Sequence, residues 1–345
     1  MRNCPLPFKI YVTIIALFTF WPIQALSHRA GDSYQQAISA IEEQDFQQAE
    51  SLLQQTITEF PGYAEAHHLL GLVQYQRAQD ATMAIPSLKQ AIKLNPNFVQ
   101  AHYDLGLLLI NLEKMEEAQQ TLQQAIIIYP GFWEARLTLA KTFDQTGATD
   151  KAIQEYETVL KQEPLAVEAL FQLAYHSMQR NQKDRAQELL TRLTTHDSQH
   201  SDGWYLLGRL SEQGQQFDQA LEAYHHVLQI VPDHAEAHYN LGFLYQQHNQ
   251  PQQAIKHYQR VTELQPTDAE AYFNLGVLLV AQQQFDRAEE AYQKGLELYP
   301  QSVEGQFNVG AFYEFHKEDL QKAKHHYQNY LDLGGTDNRI QKLMK

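Results

Sequence analysis

The chain is 345 residues long and has one cysteine, Cys4, close to its N-terminus. Beyond that point no thiol is available for a disulfide, a nucleophile or a metal ligand. Such a chain suits an oxidising compartment, where a folded protein avoids stray crosslinks. Cations are scarce as well: 26 Lys and Arg face 41 Asp and Glu, for a formal net charge of -15. An acidic surface of that size repels phosphate backbones and anionic lipid, so neither nucleic acid nor a peripheral membrane anchor is expected. Val and Thr are poorly represented beside Gln, Ala and Leu, which favours helix over strand. His-Glu-x-x-His, Gly-x-x-x-x-Gly-Lys, Gly-x-Ser-x-Gly and Gly-x-Gly-x-x-Gly are all missing, and with them the commonest signatures of catalysis and cofactor binding. No cofactor and no metal are expected.

One long apolar run stands out. Residues 1–9 carry Arg2 and Lys9 and no acid, residues 10–23 read IYVTIIALFTFWPI, and Ala25-Leu26-Ser27 follows with small residues at the -3 and -1 positions. This order of charge, apolar core and small residues predicts an export signal over 1–27, cleaved to leave a mature chain from about His28. The run falls short of the roughly 20 apolar residues of a membrane span. An uncleaved anchor facing the periplasm is the alternative, and it would be the only membrane contact. Removing the two positive charges of this segment from -15 leaves -17.

The remainder is periodic. Ala49, Ala84, Ala118, Ala152, Ala186, Ala220, Ala254, Ala288 and Ala323 are spaced by 35, then six times by 34, then by 35. With this alanine as position 20 of a repeat, position 8 is always Gly or Ala, from Ala37 to Gly310. Position 32 is proline at Pro61, Pro96, Pro130, Pro164, Pro232, Pro266 and Pro300, with Ser198 in its place after the fifth repeat. Positions 4, 7, 8 and 11 form one helical stripe, in the sixth repeat Trp204, Leu207, Gly208 and Ser211, and positions 20, 24 and 27 form a second, there Ala220, Tyr224 and Val227. Small residues at 8 and 20 are expected to let two helices approach closely. The proline ends the second helix and turns the chain into the next pair. Pro251 suits a first helical position. The second and ninth repeats are expected to hold their one extra residue in the turn between helices.

Segments such as AEAHYNLGFLY (Ala235 to Tyr245) and AEAYFNLGVLL (Ala269 to Leu279) resemble the tetratricopeptide repeat family, and the resemblance spans roughly residues 30 to 333. It implies an all-α fold: a right-handed α-solenoid superhelix of about nine helix-turn-helix repeats, with a C-terminal capping helix. The expected repeats lie near 30–63, 64–98, 99–132, 133–166, 167–200, 201–234, 235–268, 269–302 and 303–333 of an array over 28–333, and 334–345 is the cap, opened by the helix stop Gly334-Gly335.

In this family the first helix of each pair lines the concave face, chiefly through positions 2, 5, 6, 9, 12 and 13. Position 2 is acidic at seven repeats, among them Asp202, Glu236, Glu270 and Glu304. Those acids read either as a rail for a basic ligand or as complements to the helix macrodipole. Position 5 carries Tyr239, Phe273 and Phe307, which either grip a peptide or pack on the adjacent repeat. Lys141 and Arg209 are the basic residues at position 9. Position 6 carries Asn240, Asn274 and Asn308 at 34-residue steps. An amide offers an acceptor and two donors, so a stacked row can pair with an extended peptide backbone. This row resembles the asparagine ladder of the peptide-threading superhelix in the O-linked N-acetylglucosamine transferases, whose catalytic domain has no counterpart in this sequence. The 16 histidines include His196 and His200, four residues apart beside Asp197 and Asp202, in a segment that reads as a solvated loop before a metal site. These features together predict a non-catalytic scaffold that holds a protein or peptide partner during envelope assembly or secretion. The alternative is the regulatory subunit of a glycosyltransferase whose catalytic part is a separate chain.

Overall fold

Helices arise wherever the repeat places its two apolar stripes. In the computed structural model, which describes residues 31–344, nineteen helices and no strand are found among the described residues. The chain divides into two compact units, one ending at Pro164 and one starting at Leu165. The first holds four helical hairpins: α1 (Asp32–Glu42) with α2 (Phe46–Glu59), α3 (Ala64–Ala78) with α4 (Ala81–Leu94), α5 (Val99–Asn111) with α6 (Met115–Ile128), and α7 (Trp133–Gln145) with α8 (Thr149–Gln162). The second holds five: α9 (Val167–Gln179) with α10 (Lys183–His196), α11 (Ser201–Gln213) with α12 (Phe217–Ile230), α13 (Ala235–Gln247) with α14 (Pro251–Leu264), α15 (Ala269–Ala281) with α16 (Phe285–Leu298), and α17 (Val303–Phe315) with α18 (Leu320–Asp332). Within each unit every hairpin packs on the next, as repeats that bury only part of their apolar surface alone must do.

The contact that closes each hairpin differs in one respect from the sequence expectation. Position 20 is fully buried throughout, as at Ala152 and Ala288. The small residue at position 8, however, chiefly makes room for position 24 rather than for position 20. A methyl group on Gly276 would stand 2.5 Å from the Tyr292 ring, and one on Gly106 would stand 2.8 Å from Leu122. Position 3 was missed altogether as a buried site: Ala135, Ala169, Ala237 and Ala271 are 0% exposed there. Of the stripe read in the sixth repeat, Gly208 and Ser211 are buried while Trp204 and Leu207 are only half-buried; Leu206 and Leu210 complete the buried side.

Turns follow one pattern. Each hairpin turn contains one residue in the left-handed region, and only Gly147 of the nine is glycine; the rest include Gln79, Glu113, Asn181 and Gln283. In the ninth repeat the extra residue lengthens the turn, which runs from 316 to 319. In the second it does not: it extends α3 to 15 residues and leaves a two-residue turn, because Gln79 takes the left-handed conformation as the helix ends. Pro251 is the first residue of α14. Asp197, before Ser198, has the same extended backbone as residues before the repeat prolines, so the loss of proline there leaves the turn unchanged.

At the C-terminus Gly334, at φ +96°, stops α18, and α19 (Asn338–Leu343) folds back. Ile340 is fully buried in the core of the second unit, and both Arg339 Nη1 contacts to the Glu314 carboxylate are 2.8 Å. That helix caps the last hairpin. The expected signal segment, 1–27, lies outside the described residues.

Candidate functional site

Asn240, Asn274 and Asn308 are each half-buried, on α13, α15 and α17. Their surroundings explain why. The Asn240 amide donates from Nδ2 to the Tyr224 hydroxyl at 3.0 Å, and Tyr205 lies in hydrogen-bonding contact with it. Asn274 donates from Nδ2 to the Tyr239 hydroxyl at 3.2 Å. Tyr205 and Tyr239 hold position 5, one repeat before the amide each meets. The same bridge, from position 5 of one repeat to position 6 of the next, recurs in the first unit as His68 Nε2 to Asp104 Oδ2 at 2.7 Å. At Asn308 the preceding position 5 is Phe273, which has no hydroxyl. Asn308 accordingly makes no side-chain hydrogen bond among the described residues.

The aromatic row splits in the same way. Phe273 is buried at 8% exposure and presses on Gly295 and Gly305, so it fills the core and offers a ligand nothing. Tyr239 and Phe307 are half-buried, Tyr239 edge-on to Tyr258 with centroids 5.5 Å apart and Phe307 against Tyr330 at 5.5 Å. Burial raises the Tyr239 hydroxyl above its ordinary range, and the hydrogen bond to Glu270 raises it further, which keeps it a protonated donor. Arg209 is exposed on α11, beside Tyr205. Lys141 is half-buried on α7 in the first unit and has interaction partners of its own. The candidate residues of the second unit therefore share one run of hairpins, and Lys141 does not belong to that run.

Several residues that the sequence offered as possible ligands have structural duties. His196 ends α10, and His200 is the N-cap of α11, accepting from Gly203 N at Nδ1, 3.0 Å away. No group of three or more His, Cys, Asp or Glu able to hold a metal occurs among the described residues. A further rule went unread. In five repeats position 4 donates to the carbonyl six residues earlier, at position 32 of the preceding repeat, among them His102 Nε2 to Pro96 O at 2.9 Å, Trp204 Nε1 to Ser198 O at 3.1 Å and Gln306 Nε2 to Pro300 O at 2.9 Å. Where position 4 is Arg136, which pairs with Glu155 at 2.6 Å, Gln162 Nε2 serves the Pro130 carbonyl instead, at 2.8 Å. The six-residue offset from a repeat proline to His67, His102, His238 or Gln306 was the available signal.

A chain of helical hairpins that repeats every 34 residues defines a class: an α-helical repeat scaffold for protein interaction, a fold that is typically non-catalytic. Sequence comparison makes the family explicit. Tetratricopeptide repeat models match residues 34–85, 75–131 and 145–210, and the model for the cytochrome c-type biogenesis protein H TPR domain matches residues 188–306. The chain belongs to the tetratricopeptide repeat family. No curated protein sequence is significantly similar to it. Among solved structures, YrrB, described as a TPR protein with an unusual peptide-binding site, is 21% identical, covering 54% of this chain and 94% of its own at a TM-score of 0.49. MamA from Desulfovibrio magneticus RS-1 is 22% identical over 48% of this chain and 94% of its own, at 0.46. A tetratricopeptide repeat protein from Parabacteroides merdae ATCC 43184 is 14% identical over 71% and 97%, at 0.48.

Proposed function

We propose that the chain is a non-catalytic adaptor whose second unit holds an extended segment of a protein partner along the face that carries Asn240, Asn274 and Asn308. The observation that carries this reading is the spacing of the three amides, one per consecutive hairpin, on a face that packing leaves half-exposed. Two of them are held by tyrosine hydroxyls through Nδ2, and an oriented amide loses less freedom when it pairs with a peptide unit. Asn308 keeps its whole hydrogen-bonding capacity. Phe307 and Tyr239 stand beside the amides, with Arg209 on the preceding hairpin. An extended backbone offers the same donors and acceptors whatever its sequence, which suits a carrier of unfolded or flexible segments. Work in the cell envelope fits the predicted export signal and the acidic, thiol-free sequence after it. No described helix is long and apolar enough to cross a membrane.

Asn308→Ala is the cleanest test, since it disturbs no tyrosine bridge. With a fluorescent library of unstructured random-sequence peptides as probe, the parent is expected to retain a fraction of the library. The single variant should bind that fraction about tenfold more weakly, given two lost hydrogen bonds of about 0.5–1.5 kcal/mol each. The triple alanine variant should lose more. Equal retention by parent and triple variant, both with native helicity, removes the amide row from the mechanism.

A further inference from the structure

Three histidines meet where α12, α13 and α14 pack, and the binding face does not use them. His238 on α13 and His257 on α14 face each other across their hairpin, Nδ1 to Nδ1 at 2.9 Å. His225 on α12 lies 6.3 Å from His257 between ring centroids and shares a 2.9 Å hydrogen bond, through Nε2, with the Tyr245 hydroxyl. Tyr245 in turn stacks on His257, centroids 5.5 Å apart.

The geometry fixes the protons. His238 Nε2 is 3.0 Å from the Pro232 carbonyl, which can only accept, so Nε2 carries the hydrogen. A neutral His238 then has a lone pair at Nδ1, and the hydrogen between the rings belongs to His257 Nδ1. This arrangement closes the hairpin and the preceding turn with one chain of hydrogen bonds: α14 to α13 to the Pro232 carbonyl. A proton added at His238 Nδ1 sets two N–H groups against each other at 2.9 Å. A proton added at His257 Nε2 places a charge in a ring only 6% exposed. Cationic neighbours make either charge worse: Lys256 and Arg260 on α14, and the other histidines, with His226 on α12 and His234 in the turn. Asp233 in that turn opposes them at His238, although its carboxylate is already paired with Arg260 at 2.6 Å.

This hairpin also lacks a tie that others have. The buried position-24 tyrosine donates to an acid at position 12 in three hairpins, Tyr156 to Asp144 and Tyr224 to Glu212 at 2.9 Å and Tyr327 to Glu314 at 2.5 Å. In α13–α14 the pair is Tyr258 and Gln246, and both the Tyr258 hydroxyl and Gln246 Oε1 are buried without a partner. The histidine chain is therefore the principal polar closure of that hairpin.

We propose that His225, His238 and His257 form an acid-sensitive latch that holds α13–α14 closed on α12 while neutral and opens it when they are protonated. Burial lowers the affinity of all three rings for a proton, His257 to a pKa of about 4, with the adjacent positive charges adding to the effect. The sign follows. The opened hairpin, with rings near their ordinary 6.5, binds more protons than the closed one between about pH 6.5 and pH 4. Closure is thus complete above 6.5 and is lost as the pH falls through that window. The latch stands independently of the proposed peptide face, although Asn240 rides on the same helix.

Neighbouring repeats supply the control. Position 4 is Gln306 in the last hairpin, where it still serves the proline carbonyl, and position 23, held by His257 here, is alanine at Ala223 and Ala291. The variant His238→Gln with His257→Ala therefore introduces residues this fold already accepts at both places. Hydrogen exchange of the full chain, corrected for intrinsic rates and compared at pH 7.5 and pH 5.0, is the measurement. Amides of α13 and α14 in the parent should open at least about tenfold more often at pH 5.0, the factor set by one pKa unit or more. Hairpins of the first unit should not change, and the double variant should lose most of the response in α13–α14. An unchanged parent, or a double variant that responds as strongly as the parent, overturns the latch. Should the double variant fold poorly, imidazole resonances of the parent decide: ordinary titration of His257 and His238 near pH 6.5 would equally overturn it.

Discussion

His68 and Tyr239 hold the same repeat position in different units, and each reaches forward to position 6 of the next hairpin. In the first unit that reach ends in a buried histidine–carboxylate hydrogen bond, His68 to Asp104, with His68 5% and Asp104 7% exposed and Gln100 Nε2 adding a bond to Asp104 Oδ1 at 3.1 Å. In the second it ends in a neutral bond from an amide to a hydroxyl, Asn274 to Tyr239. One backbone framework thus joins its repeats through a carboxylate in one place and through an amide in another. The difference has a consequence for function. A carboxylate consumed by buried hydrogen bonds to His68 and Gln100 has little left for a ligand, whereas an amide bonded through one nitrogen keeps its oxygen.

The comparison breaks most readily at its charged member. His68→Ala leaves the buried Asp104 carboxylate without its chief hydrogen-bond donor, and a buried acceptor left unsatisfied costs at least about 1–3 kcal/mol. Because stability in such arrays is roughly a sum of local terms, the loss should appear in α3–α6 and spare the second unit. Hydrogen exchange resolved by segment reads this directly. Asn274→Ala, which removes the bridge from its other end, should cost only about 0.5–1.5 kcal/mol, one neutral hydrogen bond. Equal losses at the two sites would show that the charge of the first bridge is energetically idle.

A smaller effect separates the hairpin contacts. The last four hairpins pair glycine with tyrosine at positions 8 and 24, and a methyl on Gly276 would stand 2.5 Å from the Tyr292 ring. The first unit already tolerates alanine above tyrosine, at Ala140 and Tyr156, both 0% exposed. Gly276→Ala is expected to destabilise α15–α16 by about 1–3 kcal/mol through overpacking, read from its local exchange or from the first unfolding transition. A neutral outcome would mean that the α15–α16 backbone relaxes to the spacing of α7–α8.

The sequence made the fold legible because a 34-residue period leaves few solutions: the positions of Ala152 or Pro164 recur too often for another architecture. What stayed hidden was the purpose of single side chains. The period groups Asn240, Asn274 and Asn308 as equivalents, yet it cannot say that a hydroxyl one repeat earlier engages the first two and a phenyl ring leaves the third alone. That depends on which repeat neighbours touch, and those contacts cross more than 30 residues. Phe273 looked like its row-mates Tyr239 and Phe307 and is core, because Gly295 and Gly305 make space for its ring and for no other in the row. The histidines scattered attention for a similar reason. Their role in serving proline carbonyls is local in space and regular in sequence, but it shows only when hydrogen bonds are traced.

The smallest predicted difference lies at position 34, where each new first helix begins. In the first unit this place is aromatic, at Tyr63, Phe98 and Phe132, and none of the three caps its helix with a side-chain bond. Each instead packs its ring, tilted, against position 5 behind it, as Phe132 does against Tyr103 with centroids 4.9 Å apart. In the second unit Asp268 and Ser302 accept from the backbone at 3.0 Å, and His200 and His234 do both, capping with Nδ1 while the ring lies against Phe171 or Tyr205. A helix start can thus be secured by a cap or by a ring, and the two devices are close in value. Ser302→Ala removes only a cap and should cost about 1 kcal/mol. Phe132→Asp exchanges one device for the other: it gains a cap of about 1 kcal/mol and loses a ring pair of about 0.5–1.5 kcal/mol together with its buried area. The net change at the start of α7 is expected to be a destabilisation of no more than about 2 kcal/mol. Urea unfolding of the variant beside the parent measures it. A Phe132→Asp chain more stable than the parent would show that capping outweighs stacking, and that the aromatic row of the first unit is kept for something other than the fold.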